Sequence, residues 1–305
     1  MRTAFTVLGT ISGLLTLRLA SSTTDHLFIT TDHNGYFTVS WDGARRTIRN
    51  ERTTQDVADR FLRDASGGPR FLADPKGRMI AIHVYEGLLL AIPIVSAERK
   101  ARRKTPLFRG ARGVRGLVGA AARGAGPGKA IGDLDNHSPI RMKELQTIDM
   151  AFLYGTDVPV IAVLHDDGHP ANTHLATYKV VQLRGMCELL DFGIKSSNLE
   201  AEARFLIPVP EPLCGLLVLG EQTVVYLPAP KDTAEAIKRP LAEPAVFQIW
   251  AMVDCQRYLL ADDAGRLKLL FLELDGAGKI ADIKVETIGS VSPAPTQCRK
   301  LAMKI

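Results

Sequence analysis

Cysteine is scarce in this chain: four in 305 residues, Cys187, Cys214, Cys255 and Cys298, spaced 27, 41 and 43 residues apart. None forms a CxxC pair and none has a neighbouring His, so neither a disulfide framework nor a zinc module is indicated, and buried thiols in a reducing compartment are expected. A membrane-length apolar run is also lacking. The most apolar stretch, "RMIAIHVYEGLLLAIPI" from Arg78 to Ile94, carries a Tyr85-Glu86-Gly87 turn at its middle and falls short of the roughly 20 residues that a spanning helix needs. Helical periodicity is equally thin, since no segment beyond about a dozen residues keeps a 3.6-residue apolar period. That removes an α/β plan with crossover helices. Acids are nearly missing from one region, Ala97 to Lys129, which holds ten Lys or Arg against Glu98 alone. With a net charge of +5 for the whole chain, the remainder is mildly acidic.

What is present is strand and turn. A hydrophobic content of 46% against 23% charged is enough to build a core. Within the apolar stretch Ile80, Ile82 and Val84 alternate with Ala81, His83 and Tyr85, the period of a strand, and the Gly near its midpoint makes it a β-hairpin returning through Leu88 to Ile94. Similar segments recur at 27–31, 36–41, 158–165, 174–183, 204–209, 216–219, 223–227, 246–253, 258–261 and 267–274. Between them stand "DHNG", "DPKG", "HDDGHP", "PEPLCG", "DDAG" and "DGAG", all turn chemistry. The chain reads as all-β, either a sandwich array or a propeller. A unit of acidic turn, Gly and alternating strand repeats as "DHNGYFTVSWD", "DPKGRMIAIHVYE" and "DDAGRLKLLFLEL". We take it as the inner hairpin of a propeller blade. Blades of about 40–50 residues leave room for five or six.

Residues 97–139 interrupt the pattern with Arg, Gly and Ala, and are expected to be a disordered basic insertion. Such a segment binds nucleic-acid phosphates in some proteins and is a solvated loop in others. The N-terminal "MRTAFTVLGTISGLLTLRLASS" reads either as a strand pair or as a signal peptide, the latter weakened by Arg18 inside the apolar region. Chemistry is hard to find. His165 and His169 in "HDDGH" have the i, i+4 spacing of a metal-binding helix, with Asp166 and Asp167 beside them, but Asp-Asp-Gly describes a hairpin turn in which that facing is lost. "GVRG" and "GAGPG" lack the P-loop lysine, and no Ser sits in a GxSxG elbow. Tyr154, Tyr178, Tyr226 and Trp250 are assigned to core packing. No catalytic residue, cofactor or metal is indicated.

Four segments, "RMIAIHVYEGLLLAIPI", "ELQTIDMAFLYGTDVPVIAVLHDD", "NLEAEARFLIPVPEPLCGLLVLGEQTVVY" and "RYLLADDAGRLKLLFLEL", together resemble the first β-propeller of the large subunit of the UV-damaged-DNA-binding complex, the adaptor of a cullin-RING ubiquitin ligase. Polyadenylation-factor and splicing-factor subunits share that architecture and supply an alternative, nucleic-acid-binding function. The resemblance implies an incomplete propeller of four-stranded blades over residues 1–305, with the N-terminal segment as strands rather than a signal peptide. It also implies a non-enzymatic scaffold in nucleus and cytoplasm. Its partners would be substrate-receptor proteins and, through them, damaged DNA, with no membrane; the cullin-docking propeller lies outside this chain. His83 and Tyr85, at the hairpin tip, are the candidate partner contacts. A fold left open at both ends is expected to expose apolar residues at Leu14, Leu15, Leu17, Leu301, Ala302 and Ile305 and to self-associate.

Overall fold

The computed structural model describes residues 9–17, 24–32, 35–54, 62–94, 134, 137–168, 173–183, 185–194, 196, 199–229 and 235–291. They form twenty strands in five antiparallel four-stranded sheets, each a simple meander. The first sheet is β1 (Ile11–Leu17), β2 (His26–Thr31), β3 (Tyr36–Asp42) and β4 (Thr47–Thr54). The second is β5 (Arg70–Ala73), β6 (Met79–Tyr85), β7 (Leu88–Pro93) and β8 (Ser138–Arg141), and the third β9 (Thr147–Phe152), β10 (Val160–Asp166), β11 (Thr173–Leu183) and β12 (Met186–Asp191). The fourth is β13 (Phe205–Pro208), β14 (Leu216–Leu219), β15 (Thr223–Leu227) and β16 (Ile237–Pro240), and the fifth β17 (Phe247–Met252), β18 (Arg257–Asp262), β19 (Arg266–Leu274) and β20 (Ile280–Ser290). The described residues contain no helix.

The sheets are propeller blades. The first strands β1, β5, β9 and β13 lie side by side, while outer strands meet at β8 with β12 and β16 with β20. Alternation along each middle strand feeds two different cores. In β10, Ile161 and Val163 pack towards the second blade, and Val160, Ala162 and Leu164 towards the fourth. In β14, Leu216 and Val218 face the third blade, Leu217 and Leu219 the fifth. In β6, Ile80 and Ile82 face the first blade, Met79 and Ala81 the third. Blades two to four are therefore buried on both faces, which is why their strands read as continuous apolar runs. Connections between first and second, and third and fourth, strands lie at one end of the blades, here the upper end. Turns between second and third strands, with the inter-blade links, lie at the lower end.

Three details of the sequence reading change. The acidic turn unit is not a fixed inner hairpin: it joins β5 to β6 at Asp74, but β2 to β3 at Asp32 and β18 to β19 at Asp262. What repeats is local chemistry. The Asp74 carboxylate accepts bonds from the backbone N–H of Lys76 and Arg78 and from the Arg78 guanidinium, and Asp262 holds Arg266 in the same way. Gly77 and Gly265, at φ 64 and 77, supply the left-handed residue that lets the chain reverse. Secondly, the basic insertion was drawn too long at its end: Leu134 is buried and bridges Ile94, and Ser138 and Pro139 already belong to β8, opposite Ala91 and Leu90. Residues 95–133 lie outside the described residues. Thirdly, Leu17 is buried and Leu15 packs against the same core, so of the N-terminal trio only Leu14 is exposed; positions 301, 302 and 305 lie outside the described residues.

The first blade nevertheless presents an apolar face away from the second. Register places Leu14, Ile29 and Phe37 in one row, with Leu27, Val39 and Trp41 beside them, and Leu14, Leu27 and Trp41 are 45%, 37% and 48% exposed. Sedimentation of the purified chain at micromolar concentration is expected to show self-association, relieved when Leu14 and Trp41 are replaced by Glu; a monomer that unfolds cooperatively without those changes refutes it.

The turn carboxylates differ in value by burial. Asp74 is fully buried, and Arg78 reaches from it to the Thr156 carbonyl of the next blade at 2.8 Å. Asp74→Ala is expected to cost about 2–4 kcal/mol, because it strands buried donors. Asp254→Ala, which breaks an analogous but solvent-exposed contact to Arg257, costs under about 1 kcal/mol. Urea unfolding midpoints compare the two.

Candidate functional site

The hairpin tip comes first, because the sequence reading placed its candidate residues there. His83 and Tyr85 are 1% and 6% exposed, so neither offers its side chain to the surface. The position follows from β6 itself, whose two faces both pack on neighbouring blades. Tyr85 lies opposite Leu88 and bridges Asp64. His83 lies opposite Arg70, and both of its ring nitrogens are buried without a hydrogen-bond partner among the described residues. Burial lowers its proton affinity, Glu86 opposes that and Arg70 adds to it. The tip's partly exposed polar group is Glu86, which ties the turn to the inter-blade links. It accepts bonds from the backbone N–H of Ser66 at 2.5 Å and of Gln146 at 2.9 Å. Burial pushes the Glu86 carboxyl upward, but bonds from Ser66, the nearby His83 and the Thr147 amide together hold the group below its ordinary value. Glu200 plays the same part between the third and fourth blades, bonding Gln222 N–H and the Thr223 hydroxyl. A Cβ at Gly220 would meet the Glu200 carboxylate at 1.8 Å, so a side chain there would push that carboxylate off its bonds.

The "HDDGH" turn ends β10. His169 lies outside the described residues, but His165 gains a different neighbour, His174, directly across the β10–β11 pair. Tyr178 on the same face donates a short hydrogen bond to Glu144, and burial together with that bond drives the phenol well above its usual range. Among the described residues no group of three or more His, Cys, Asp or Glu is arranged to hold a metal.

At the upper end a groove of about 700 Å³ opens between the third, fourth and fifth blades. The β9–β10 loop lines it with Tyr154 and Val158, the β13–β14 loop with Leu213 and Cys214, and the β19–β20 turn with Lys279. Phe192 forms one wall, with the Lys179 ammonium 5.4 Å above its ring. Burial, with Glu211 adding to it, pushes the Cys214 thiol up, so it stays protonated at neutral pH. The groove is thus built for apolar contact rather than nucleophilic chemistry. A second cavity, about 660 Å³, runs along the inner strands and is lined from all five blades, including Leu15, Phe71, Phe152, Phe205 and Trp250. One polar chain crosses its wall: Arg70 pairs with Asp149 at 3.3 Å and donates to the Ile148 carbonyl, and Asp149 accepts the Leu206 N–H. These latches, and the groove, were not legible as a site because their members come from different blades.

Comparison with known proteins gives the same architecture. The family description RSE1/DDB1/CPSF1 first beta-propeller matches residues 1–299. The chain belongs to this family. DNA damage-binding protein 1 of Solanum lycopersicum is 32% identical over 292 residues, 95% of this chain and 23% of that protein. DNA damage-binding protein 1a of Arabidopsis thaliana is 31% identical over 292 residues, 95% and 23%, and DNA damage-binding protein 1 of Schizosaccharomyces pombe 28% over 301, 96% and 24%. The chain therefore spans about a quarter of the length of the curated relatives it matches. Membership agrees with the resemblance carried by the hairpin and the three other segments. The matched span includes the strand β1.

His83 gives a testable pH dependence. Its folded proton affinity lies below the unfolded value near 6.5, so the unfolded chain binds more protons in the window below that value. Stability rises with pH through the window and is lost as pH falls below about 6.5. His83→Leu should flatten that slope and be neutral or stabilising by about 1–3 kcal/mol at neutral pH, since it removes buried unbonded nitrogens. Urea midpoints between pH 5 and 8 measure both effects; a large loss at neutral pH contradicts this account of the site.

Proposed function

We propose that this propeller is a protein-binding scaffold of the DNA damage-binding adaptor type, serving substrate receptors of a cullin-RING ligase in the nucleus and approaching damaged DNA through them. The observation that carries the reading is that the similarity to DNA damage-binding protein 1 runs over 95% of the chain, through every described blade. A rigid disc with latched blades and an apolar upper groove suits that role. Tyr154, Val158, Phe192 and Leu213 can seat the apolar side of a receptor helix, and Lys179 and Lys279 favour one with acidic residues beside its anchors. Catalysis has no part in this reading.

The alternative is direct nucleic-acid binding through the ten basic residues of 97–129, as expected for a polyadenylation- or splicing-factor relative. Salt separates the two. Receptor helices should bind the purified chain with affinity that changes little between about 50 and about 200 mM salt. A UV-irradiated duplex without receptor should bind weakly, with the steep logarithmic salt slope of phosphate contacts. Val158→Glu, which puts a charge at the exposed rim of the groove, is expected to weaken receptor binding about tenfold or more without moving the unfolding midpoint. Tight, damage-selective DNA binding by the chain alone, or receptor binding indifferent to Val158→Glu, overturns the scaffold reading as located here.

A further inference from the structure

The turn sequence pairs His165 with His169 by spacing; the sheet pairs it with His174. We propose that His165 and His174 form a two-histidine site for a divalent first-row transition ion, Zn²⁺ or Cu²⁺, at the lower end of the third blade. The two residues are directly opposite on β10 and β11, on the face turned to the second blade, with ring centroids 5.7 Å apart and planes 37° from parallel. An ion about 2.1 Å from one ring nitrogen lies roughly 3.2 Å from that ring's centroid, so a single ion shared by two imidazoles needs centroids about 5–6 Å apart. The observed spacing meets that requirement without moving either strand. Two fixed strands hold the ligands, so binding orders little that is not already ordered.

The surroundings favour a cation and prepare the ligands. Asp167 Oδ2 lies 3.2 Å from His174 Nε2. An ionised carboxylate only accepts, so this contact places the imidazole proton on Nε2 and leaves Nδ1 with the lone pair, the carboxylate–histidine arrangement that orients metal ligands. Glu144, on the link entering the third blade, acts on His165 from the facing element and bonds Tyr178. Asp166 supplies a backbone contact to His165 as well. Two carboxylates thus stand beside two imidazoles, a balance that a dication completes. Because no three described side chains form a closed centre, the remaining coordination positions belong to water. The site is therefore an exchangeable surface chelate, distinct from a structural zinc centre, and it bridges the paired strands β10 and β11.

The test is titration of the purified chain with ZnCl₂ and with CuCl₂ alone, followed by calorimetry and, for Cu²⁺, by the nitrogen hyperfine pattern in electron paramagnetic resonance. One equivalent is expected, with two nitrogens on copper. His165→Gln and His174→Gln should each weaken it at least tenfold, and Asp167→Asn about tenfold. His83→Leu should leave it unchanged. Urea midpoints establish that each variant is folded, and the copper spectrum of the unaltered chain reads the ligand count independently of any variant. Undiminished binding in the His165→Gln/His174→Gln double variant overturns the proposal. So does loss on His169→Gln with His174→Gln binding normally, or no binding by the unaltered chain.

Discussion

Each middle sheet of this molecule has to bury both of its faces, and the rest of the structure follows from that requirement. A strand such as β10 sends odd-numbered side chains to one neighbour and even-numbered ones to the other. A slip of one residue would exchange the two sets and spoil two cores at once. Register must therefore be set locally before blades can stack. The acidic turns do this: the carboxylate accepts backbone amides across the reversal, two at Asp74 and at Asp275 and one at Asp262, and a following Arg side chain adds to it at Asp74 and Asp262. The same device appears at both ends of the blades because the register problem is the same in every hairpin.

Apolar packing sets how close two blades come, but it is nearly indifferent to small rotations between them. Directional bonds at the ends of the strands remove that freedom. Near the channel Arg70, Asp149 and Leu206 join three successive inner strands; at the upper end Arg78 reaches Thr156 across the second and third blades; at the lower end Glu86 and Glu200 each hold a turn against an inter-blade link. These groups are partly or wholly out of water, where a hydrogen bond to a charge is worth more than it is on the surface. A scaffold whose loops must present a fixed pattern to a partner depends on this second layer of interactions as much as on its cores.

The parts of this architecture that could be read from the sequence were the ones with two buried faces. The strands of the blade middles announced themselves by apolar content, and the turns by Asp and Gly. The outermost strands β4, β8, β12, β16 and β20 did not. Their composition is mixed, as in "TIRNERTT" and "IKRP", and in β16 and β20 most side chains meet solvent, so no apolar period marks them. Long-range pairing was equally silent. The turn at Asp166, Asp167 and Gly168 was legible and ruled out a shared helix face for His165 and His169, but the partner that the sheet supplies, His174 on the facing strand, was not. His83 stands two positions before a turn, which in the sequence marks a hairpin tip, yet it is 1% exposed, and the link between the first and second blades closes on the strand beside it, with Ala65 N–H bonded to the Val84 carbonyl. Segments linking blades carry no signal of what they will cover.

The two ends of the blades spend their charge differently, and that decides where a partner can be recognised. At the lower end the carboxylates are engaged within the fold: Glu86 and Glu200 by amides, Glu144 by a phenol, Asp262 by Arg266. A partner arriving there meets groups whose bonds are already made, and displacing them would loosen a blade. The upper end is made of longer loops whose interior is apolar around Val158, Phe192 and Leu213, with the Arg78–Thr156 latch at its margin. Recognition by shape and apolar area at that end therefore costs the scaffold little, while the histidine pair at the lower end is suited to a small ion that adds bonds to the turn without removing those already there.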